Sequence, residues 1–144
     1  VNLTSVDISA DALSVARGNA EKNCVDDCIT FVESDLFRDL GDASFDVIVS
    51  NPPYIPSEDC KTLQDEVLLE PLLALDGGLS GFDFYERLIA DGPAFLNVNG
   101  AMLFEFGISQ EKTLERMALQ KFTEVNIYKD LAGIPRVIKM NNGK

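Results

Sequence analysis

The sequence predicts an α/β fold built on a mostly parallel sheet. Two observations carry this. Short β-branched or aromatic runs alternate with stretches of helical periodicity, the pattern of strands joined by crossover helices. The last two apolar runs, residues 123–128 and 136–140, are separated only by a loop containing Gly133 and Pro135, which predicts an antiparallel edge. With 144 residues, 46% of them hydrophobic, the chain fits one domain with a real core, over residues 1–144.

Taken in order, residues 3–8 read as a strand carrying Asp7 at its end. Ser9 is the expected N-cap of a helix running to about Asn23, and Asp11 favours that helix's positive end. Its apolar stripe is Ala12, Leu13, Ala16 and Ala20. Residues 29–32 (ITFV) and 45–49 (FDVIV) are the next strands. Residues 55–80 are irregular, holding Pro56, Pro71, Gly77 and Gly78, with one short helical turn near residues 63–69. A connection of that length inside a domain is usually functional. Residues 82–97 read as a helix, and Gly100 turns the chain into a strand at 101–106 (AMLFEF). Ser109 is the expected cap of a helix burying Leu114, Met117 and Ala118.

Composition excludes several classes. No apolar run approaches the ~20 residues of a membrane span. The opening VNLTSVDIS has neither the basic nor the apolar region of a signal peptide, and the missing initiator Met suggests a fragment or processed product. The balance of 24 acidic to 12 basic residues, the latter scattered, disfavours a phosphate backbone as partner. An acidic cytoplasmic protein is the plain expectation. Cys24, Cys28 and Cys60 are an odd number of thiols without a secretion signal, so they are expected to be free and reduced. Cys24 and Cys28 lack a second ligand pair, so no metal site is expected. The absence of histidine excludes Ser-His-Asp and Cys-His catalysis within this chain.

The strongest motif is Asn51-Pro52-Pro53-Tyr54, directly after the FDVIVS strand. Taken alone it is an ordinary strand-ending turn, because proline fixes φ and stops strands. Position argues for more. Ligands in open α/β sheets bind beyond the carboxyl ends of the strands. The prolines stiffen the backbone, so the Pro52 carbonyl and the Asn51 side-chain oxygen can be two fixed acceptors. A planar NH2 group has two donors to match them, and Tyr54 offers a flat face for stacking. Such a nitrogen is a poor nucleophile because its lone pair is delocalised. Holding both N–H bonds orients it and favours a more tetrahedral state. Asp7, at a strand end, can accept both hydroxyls of a ribose, and Asp35, just after ITFVE, can accept from an adenine amino group. Each acid alone is as readily a helix cap or a solvated turn. Their order along the chain, strand–Asp7, strand–Asp35, strand–NPPY, strengthens the functional reading.

The sequence resembles the class I methyltransferase superfamily and, more closely, the HemK/PrmC family of release factor N5-glutamine methyltransferases. The resemblance rests on VDIS at 6–9, SDLF at 34–37, VSNPPYIP at 49–56 and LEPLLALDGGLSG at 69–81. Tyr85, LFEFG at 103–107 with Gln110, and KDLAGIPRVI at 129–138 add to it. NPPY is shared with DNA, ribosomal RNA and transfer RNA methyltransferases. The Glu70-Pro71 block and the Asp130, Gly133, Arg136 tail discriminate better. The resemblance implies a Rossmann-like sheet of seven strands, one antiparallel, and S-adenosyl-L-methionine as cofactor. It places Asp7, Ile8, Asp35, Leu36 and Asn51 at the cofactor, with ribose on Asp7 and adenine beside Asp35 and Leu36. It makes Asn51, Pro52 and Tyr54 catalytic, and Asn51, Pro52, Pro53 and Tyr54 the holders of a glutamine side-chain amide. The implied substrate is the glutamine of the GGQ motif of a peptide chain release factor. A methyl sulfonium leaves as a neutral group, so positioning and electrostatics carry such a transfer without a strong base.

One departure is expected to matter. The superfamily's first strand and Gly-rich turn, and the family's small N-terminal helical domain, would precede Val1. The missing strand is a central one, so a gap in the sheet and weaker cofactor binding by this stretch are expected. Two other readings stay open: an adenine N6-methyltransferase acting on nucleic acid, and a truncated non-catalytic module.

Overall fold

β1 (Leu3–Asp7) and β2 (Ile29–Glu33) pair in parallel, from Leu3↔Ile29 to Asp7↔Glu33, in this computed structural model, which describes residues 1–141. The chain falls into two compact units, Val1–Ala43 and Ser44–Lys144. In the first, α1 (Ala10–Lys22) crosses between the two strands and packs on both. It starts as expected: Ser9 is extended, and its hydroxyl accepts the Ala12 amide at 3.2 Å. Leu13 and Ala20 are buried on its inner face, whereas Ala12 is exposed. Arg17 lies over the Phe31 ring, 4.5 Å from its centroid, so the outer end of the helix is pinned by a cation–π contact.

The second unit is a four-stranded sheet in the order β3-β4-β6-β5. β3 (Phe45–Ser50) and β4 (Leu96–Glu105) are parallel; β6 (Pro135–Asn141) runs antiparallel between β4 and β5 (Glu124–Lys129). The expected antiparallel ending is present, with β6 inside the sheet and β5 at its edge. Six strands stand among the described residues where the resemblance implies seven. Cross-strand pairs Met102↔Met140 and Phe104↔Ile138 put four fully buried side chains opposite one another. α2 (Asp83–Asp91) buries Tyr85, Leu88 and Ile89, and α3 (Glu111–Ala118) buries Leu114 and Ala118 while packing on β6. Among the described residues no helix is long and apolar enough to cross a membrane.

Four expectations need correction. The helix expected over residues 82–97 ends at Asp91 and passes through one 3-10 turn, Gly92–Phe95. Pro93 lacks the amide that a continuing α-helix would use. β4 therefore begins at Leu96 rather than after Gly100. It accommodates Asn99 at φ 65° through a register shift opposite residues 45–47. The long connection has three short 3-10 turns rather than one, at Asp59–Thr62, Val67–Leu69 and Leu72–Ala74. Its leucines come too close together for a single amphipathic period. Finally, Ser109 does not cap α3; it adopts φ 68°, and Gln110 takes the capping position.

Tyr85 is fully buried, and its hydroxyl donates to the Glu105 carbonyl at 2.7 Å. Burial pushes this phenol far above the usual tyrosine range, with the neighbouring Tyr54 and Glu105 charges adding to the effect, so it stays a donor. Tyr85→Phe keeps the ring and removes the bond. It is expected to cost about 1–2 kcal/mol of stability. Urea unfolding with an unchanged m-value is the check; an unchanged midpoint would show that the bond contributes nothing.

Candidate functional site

Parallel strands end their ladders together, so residues just past their carboxyl ends gather at one edge. In the first unit that edge carries Asp7. Its carboxylate is exposed, and Oδ1 accepts the Ser9 amide at 2.8 Å. Its carbonyl accepts the Ser34 amide at 3.0 Å, one bond beyond the last ladder pair. That bond draws the turn after β2 alongside Asp7. Ser34 is buried, and its hydroxyl donates to the Leu36 carbonyl and accepts the Asp39 amide, both at 3.0 Å. These two bonds close a turn in which Leu36 sits at φ 57°, a left-handed conformation that a branched residue adopts at a cost of roughly 1–2 kcal/mol. Asp35 and Leu36 are half-buried there, and Ile8 is exposed next to Asp7. The first unit thus sets Asp7, Ile8, Asp35 and Leu36 on adjoining strand ends.

This arrangement fits a nucleoside. A ribose diol needs fixed acceptors, and the Asp7 carboxylate is aimed by an amide on one of its two oxygens. An adenine amino group needs an acceptor, and the Asp35 carboxylate beside the turn at Leu36 is an acceptor of that type. Ser34 sets that turn, yet periodicity gave it no weight; a small hydroxyl after a strand is too common to stand out.

In the second unit, β3 delivers Asn51-Pro52-Pro53-Tyr54 straight after its last pair, Ser50↔Phe104. Asn51 is exposed, Pro52 buried, and Pro53 and Tyr54 half-buried. Hydrogen bonding resumes only at Tyr54 and Ile55. The Tyr54 carbonyl accepts Gln110 Nε2 at 3.1 Å, and the Ile55 amide donates to the Leu75 carbonyl at 3.0 Å. Gly77 donates to the Ile55 carbonyl at 2.8 Å, closing a one-residue parallel bridge, Ile55↔Asp76. Among the described residues no hydrogen bond engages the Asn51 side chain or the Pro52 carbonyl. Both acceptors that the motif was expected to offer are therefore without a protein hydrogen-bond partner among the described residues.

The connection after the motif folds back to support it. Asp76 Oδ1 accepts the Ser57 hydroxyl at 2.7 Å and the Gly78 amide at 2.9 Å. Gly81, at φ 79°, could not carry a side chain, since a Cβ would stand 2.5 Å from the Tyr54 carbonyl oxygen. A Cβ on Gly107 would stand 3.0 Å from the Tyr54 ring. Glycine at both positions lets the backbone close directly on Tyr54.

The strand end beside the motif is itself fixed. Tyr85 bonds the Glu105 carbonyl at 2.7 Å, Arg136 Nη1 donates to the Phe106 carbonyl at 3.4 Å, and Gln110 Oε1 accepts the Gly107 amide at 2.8 Å. Arg136 is held in turn by Asp130, Nε to Oδ2 at 3.6 Å, while Asp130 Oδ1 accepts the Ala132 and Ile134 amides at 2.9 Å each. The roles of Tyr85, Gln110 and Arg136 in this clamp are invisible in periodicity: Tyr85 and Arg136 act on backbone 20 and 30 residues away, and Gln110, besides Gly107, on backbone 56 residues away. Among the described residues no group of three His, Cys, Asp or Glu could hold a metal ion, and the three cysteines are free, Cys60 buried and the others exposed.

A family profile, methyltransferase small domain, matches residues 1–70. The release factor glutamine methyltransferase of Geobacter sulfurreducens is 41% identical over 138 residues, covering 94% of this chain and 48% of that protein. Over most of its length the chain is similar to release factor glutamine methyltransferases, consistent with the HemK/PrmC family. The chain spans about half the length of the curated relatives it matches. The ribosomal protein uL3 glutamine methyltransferase of Francisella tularensis is 42% identical over 114 residues, covering 79% of this chain and 36% of that protein. A solved methyltransferase from Pyrococcus furiosus superimposes with a TM-score of 0.74 at 17% identity, over 99% of this chain and 64% of the other. The fold is that of the class I methyltransferases, mostly parallel with an antiparallel C-terminal strand.

The loop's support is pH-sensitive in a defined direction. The Ser57 hydroxyl first, and the Gly78 amide second, hold the Asp76 carboxyl below its ordinary value. A lowered folded value means that this contribution is complete above the unfolded carboxylate range and is lost as pH falls through the folded one. Asp76→Asn cannot titrate. The stability difference between wild type and Asp76→Asn is therefore expected to shrink as pH falls below about 4. Urea unfolding across an acid pH series measures it, and a constant difference would remove Asp76 from the acid response.

Proposed function

We propose that this chain is part of the catalytic domain of a cytoplasmic S-adenosylmethionine-dependent protein-glutamine N5-methyltransferase, acting on the GGQ glutamine of a peptide chain release factor. The observation that carries the reading is the pair of unengaged acceptors, Asn51 Oδ1 and the Pro52 carbonyl, on a loop fixed from Tyr54 onward. A primary amide has two N–H donors and fits that pair. The names of the Geobacter and Francisella relatives support glutamine as the acceptor. The net charge of −12 supports a protein rather than a nucleic-acid substrate.

Asp7 and Ile8 receive the ribose of the donor, and Asp35 and Leu36 the adenine. When bound, S-adenosylmethionine supplies a methyl group on a sulfonium that leaves as a neutral thioether. Asn51 and Pro52 would accept the two N–H bonds of the glutamine amide and orient its nitrogen. Tyr54 presents its ring to the amide plane. The product amide sheds its extra proton to solvent, so no histidine is needed.

The Francisella relative, named for ribosomal protein uL3, favours a second substrate for the same chemistry. Methyl transfer by the full-length protein to a release factor and to uL3, side by side, decides between them.

Asn51→Ala leaves one substrate N–H without an acceptor in a desolvated site, worth roughly 1–3 kcal/mol. The bond strengthens as the nitrogen becomes tetrahedral, so kcat is expected to fall by about 5–150-fold with donor affinity little changed. Single-turnover transfer in the full-length protein measures this. A wild-type rate would reduce the motif to a structural stop. Asp7→Ala should act the other way, weakening donor binding by about 1.5–3 kcal/mol, as read by calorimetry.

A further inference from the structure

Gln110 stands at the N-cap of α3, just before Glu111, where a polar side chain commonly caps the helix, yet it makes no such bond. It turns away from its own helix and reaches back 56 residues in sequence. It is buried, and every strong bond it makes is to backbone. Oε1 accepts the Gly107 amide at 2.8 Å; Nε2 donates to the Tyr54 carbonyl at 3.1 Å and to the Gly81 carbonyl at 3.3 Å. Only one orientation of the amide satisfies all three. Flipped, its NH2 would face the Gly107 N–H and its oxygen would face two carbonyls.

The bonds converge on one residue. Tyr54 is gripped by its carbonyl, and its ring lies against Gly107, whose amide the same side chain holds. The motif is thereby fixed at both ends. β3 holds it at Ser50↔Phe104, and Gln110 holds it at Tyr54. Between these points Pro52 and Pro53 have fixed φ, so little freedom remains in the acceptors.

We infer that Gln110 is a positioning residue for methyl transfer: it fixes the Tyr54 end of the acceptor loop and thereby the aim of the Asn51 and Pro52 oxygens. This rests on the proposed role of that loop. Gln110 does not touch the substrate. Its contribution is to hold the loop in the geometry that the transition state needs, which places its effect in kcat rather than in donor binding.

The test uses the full-length protein with Gln110→Glu and Gln110→Met. The glutamate keeps the acceptor for Gly107 but, when ionised, sets a carboxylate against two carbonyls with no donor between them. Burial and those carbonyls raise its pKa, and once protonated its single hydroxyl restores one donor. The kcat of Gln110→Glu relative to wild type is expected to be about 5–150-fold down at alkaline pH and to recover as pH falls. Gln110→Met, similar in shape and without donors, should show the same loss with no recovery. KM for the methyl donor should stay constant in both. A flat pH ratio for the glutamate variant, or wild-type kcat in the folded methionine variant, overturns the inference. Amide hydrogen exchange at Tyr54 and Ile55 gives a readout independent of activity. It should quicken in Gln110→Met while exchange in the paired residues of β5 and β6 is unchanged. If the wild-type protein transfers no methyl to glutamine, the function proposed above fails while exchange still decides the positioning role: unchanged exchange at these two amides refutes it.

Discussion

The carboxyl end of β4 is the fixed point from which the second unit is organised. Three side chains from three separate stretches bond consecutive backbone groups there: Tyr85 at Glu105, Arg136 at Phe106 and Gln110 at Gly107. None of these bonds belongs to a helix or a ladder. Each satisfies a polar group at the place where regular pairing stops and burial continues, where an unpaired group would cost about 1–3 kcal/mol. β3 is paired to this strand through Ser50↔Phe104, so whatever follows Ser50 inherits a rigid base. The loop after Ser50 thus starts beside a strand end bonded by side chains at three consecutive residues.

That rigidity is matched to the chemistry. The chain has no histidine, and the loop offers carbonyl oxygens rather than a base. A group that only accepts hydrogen bonds can assist a nucleophilic nitrogen through geometry, and a small misplacement loses most of the benefit. The same reasoning explains why backbone contacts surround the motif. Gly77 and Ile55 bond one another, Gly81 and Gly107 have no side chains to hold the loop off, and Gln110 fills the remaining polar contacts. The strain at Leu36 in the first unit follows a similar rule. An unfavourable φ is tolerated because the buried Ser34 hydroxyl makes two hydrogen bonds that depend on it.

The sequence by itself determined the order of elements and the residues at the strand ends. Alternation located β1, β2 and β3, and the Ser9 cap and the start of α1 followed from local hydrogen bonding. Asn51-Pro52-Pro53-Tyr54 was legible because proline restricts the backbone whatever surrounds it. Asp7 and Asp35 were legible from their positions after strands. These are short-range facts, fixed by sterics and by neighbours a few residues away.

Only the tertiary structure decided what holds those residues. The end of the helix at Asp91, the early start of β4 and the departure of Ser109 from its expected capping place depend on packing and register. By periodicity Tyr85 reads as one more apolar helix position and Gln110 as a polar residue near a helix start; the resemblance singles them out without showing what they bond. Their hydrogen bonds reach carbonyls 20 and 56 residues away in sequence, which no local pattern encodes. Backbone groups are the same in every residue, so a sequence shows which side chains can bond but not which distant backbone the fold will bring to them.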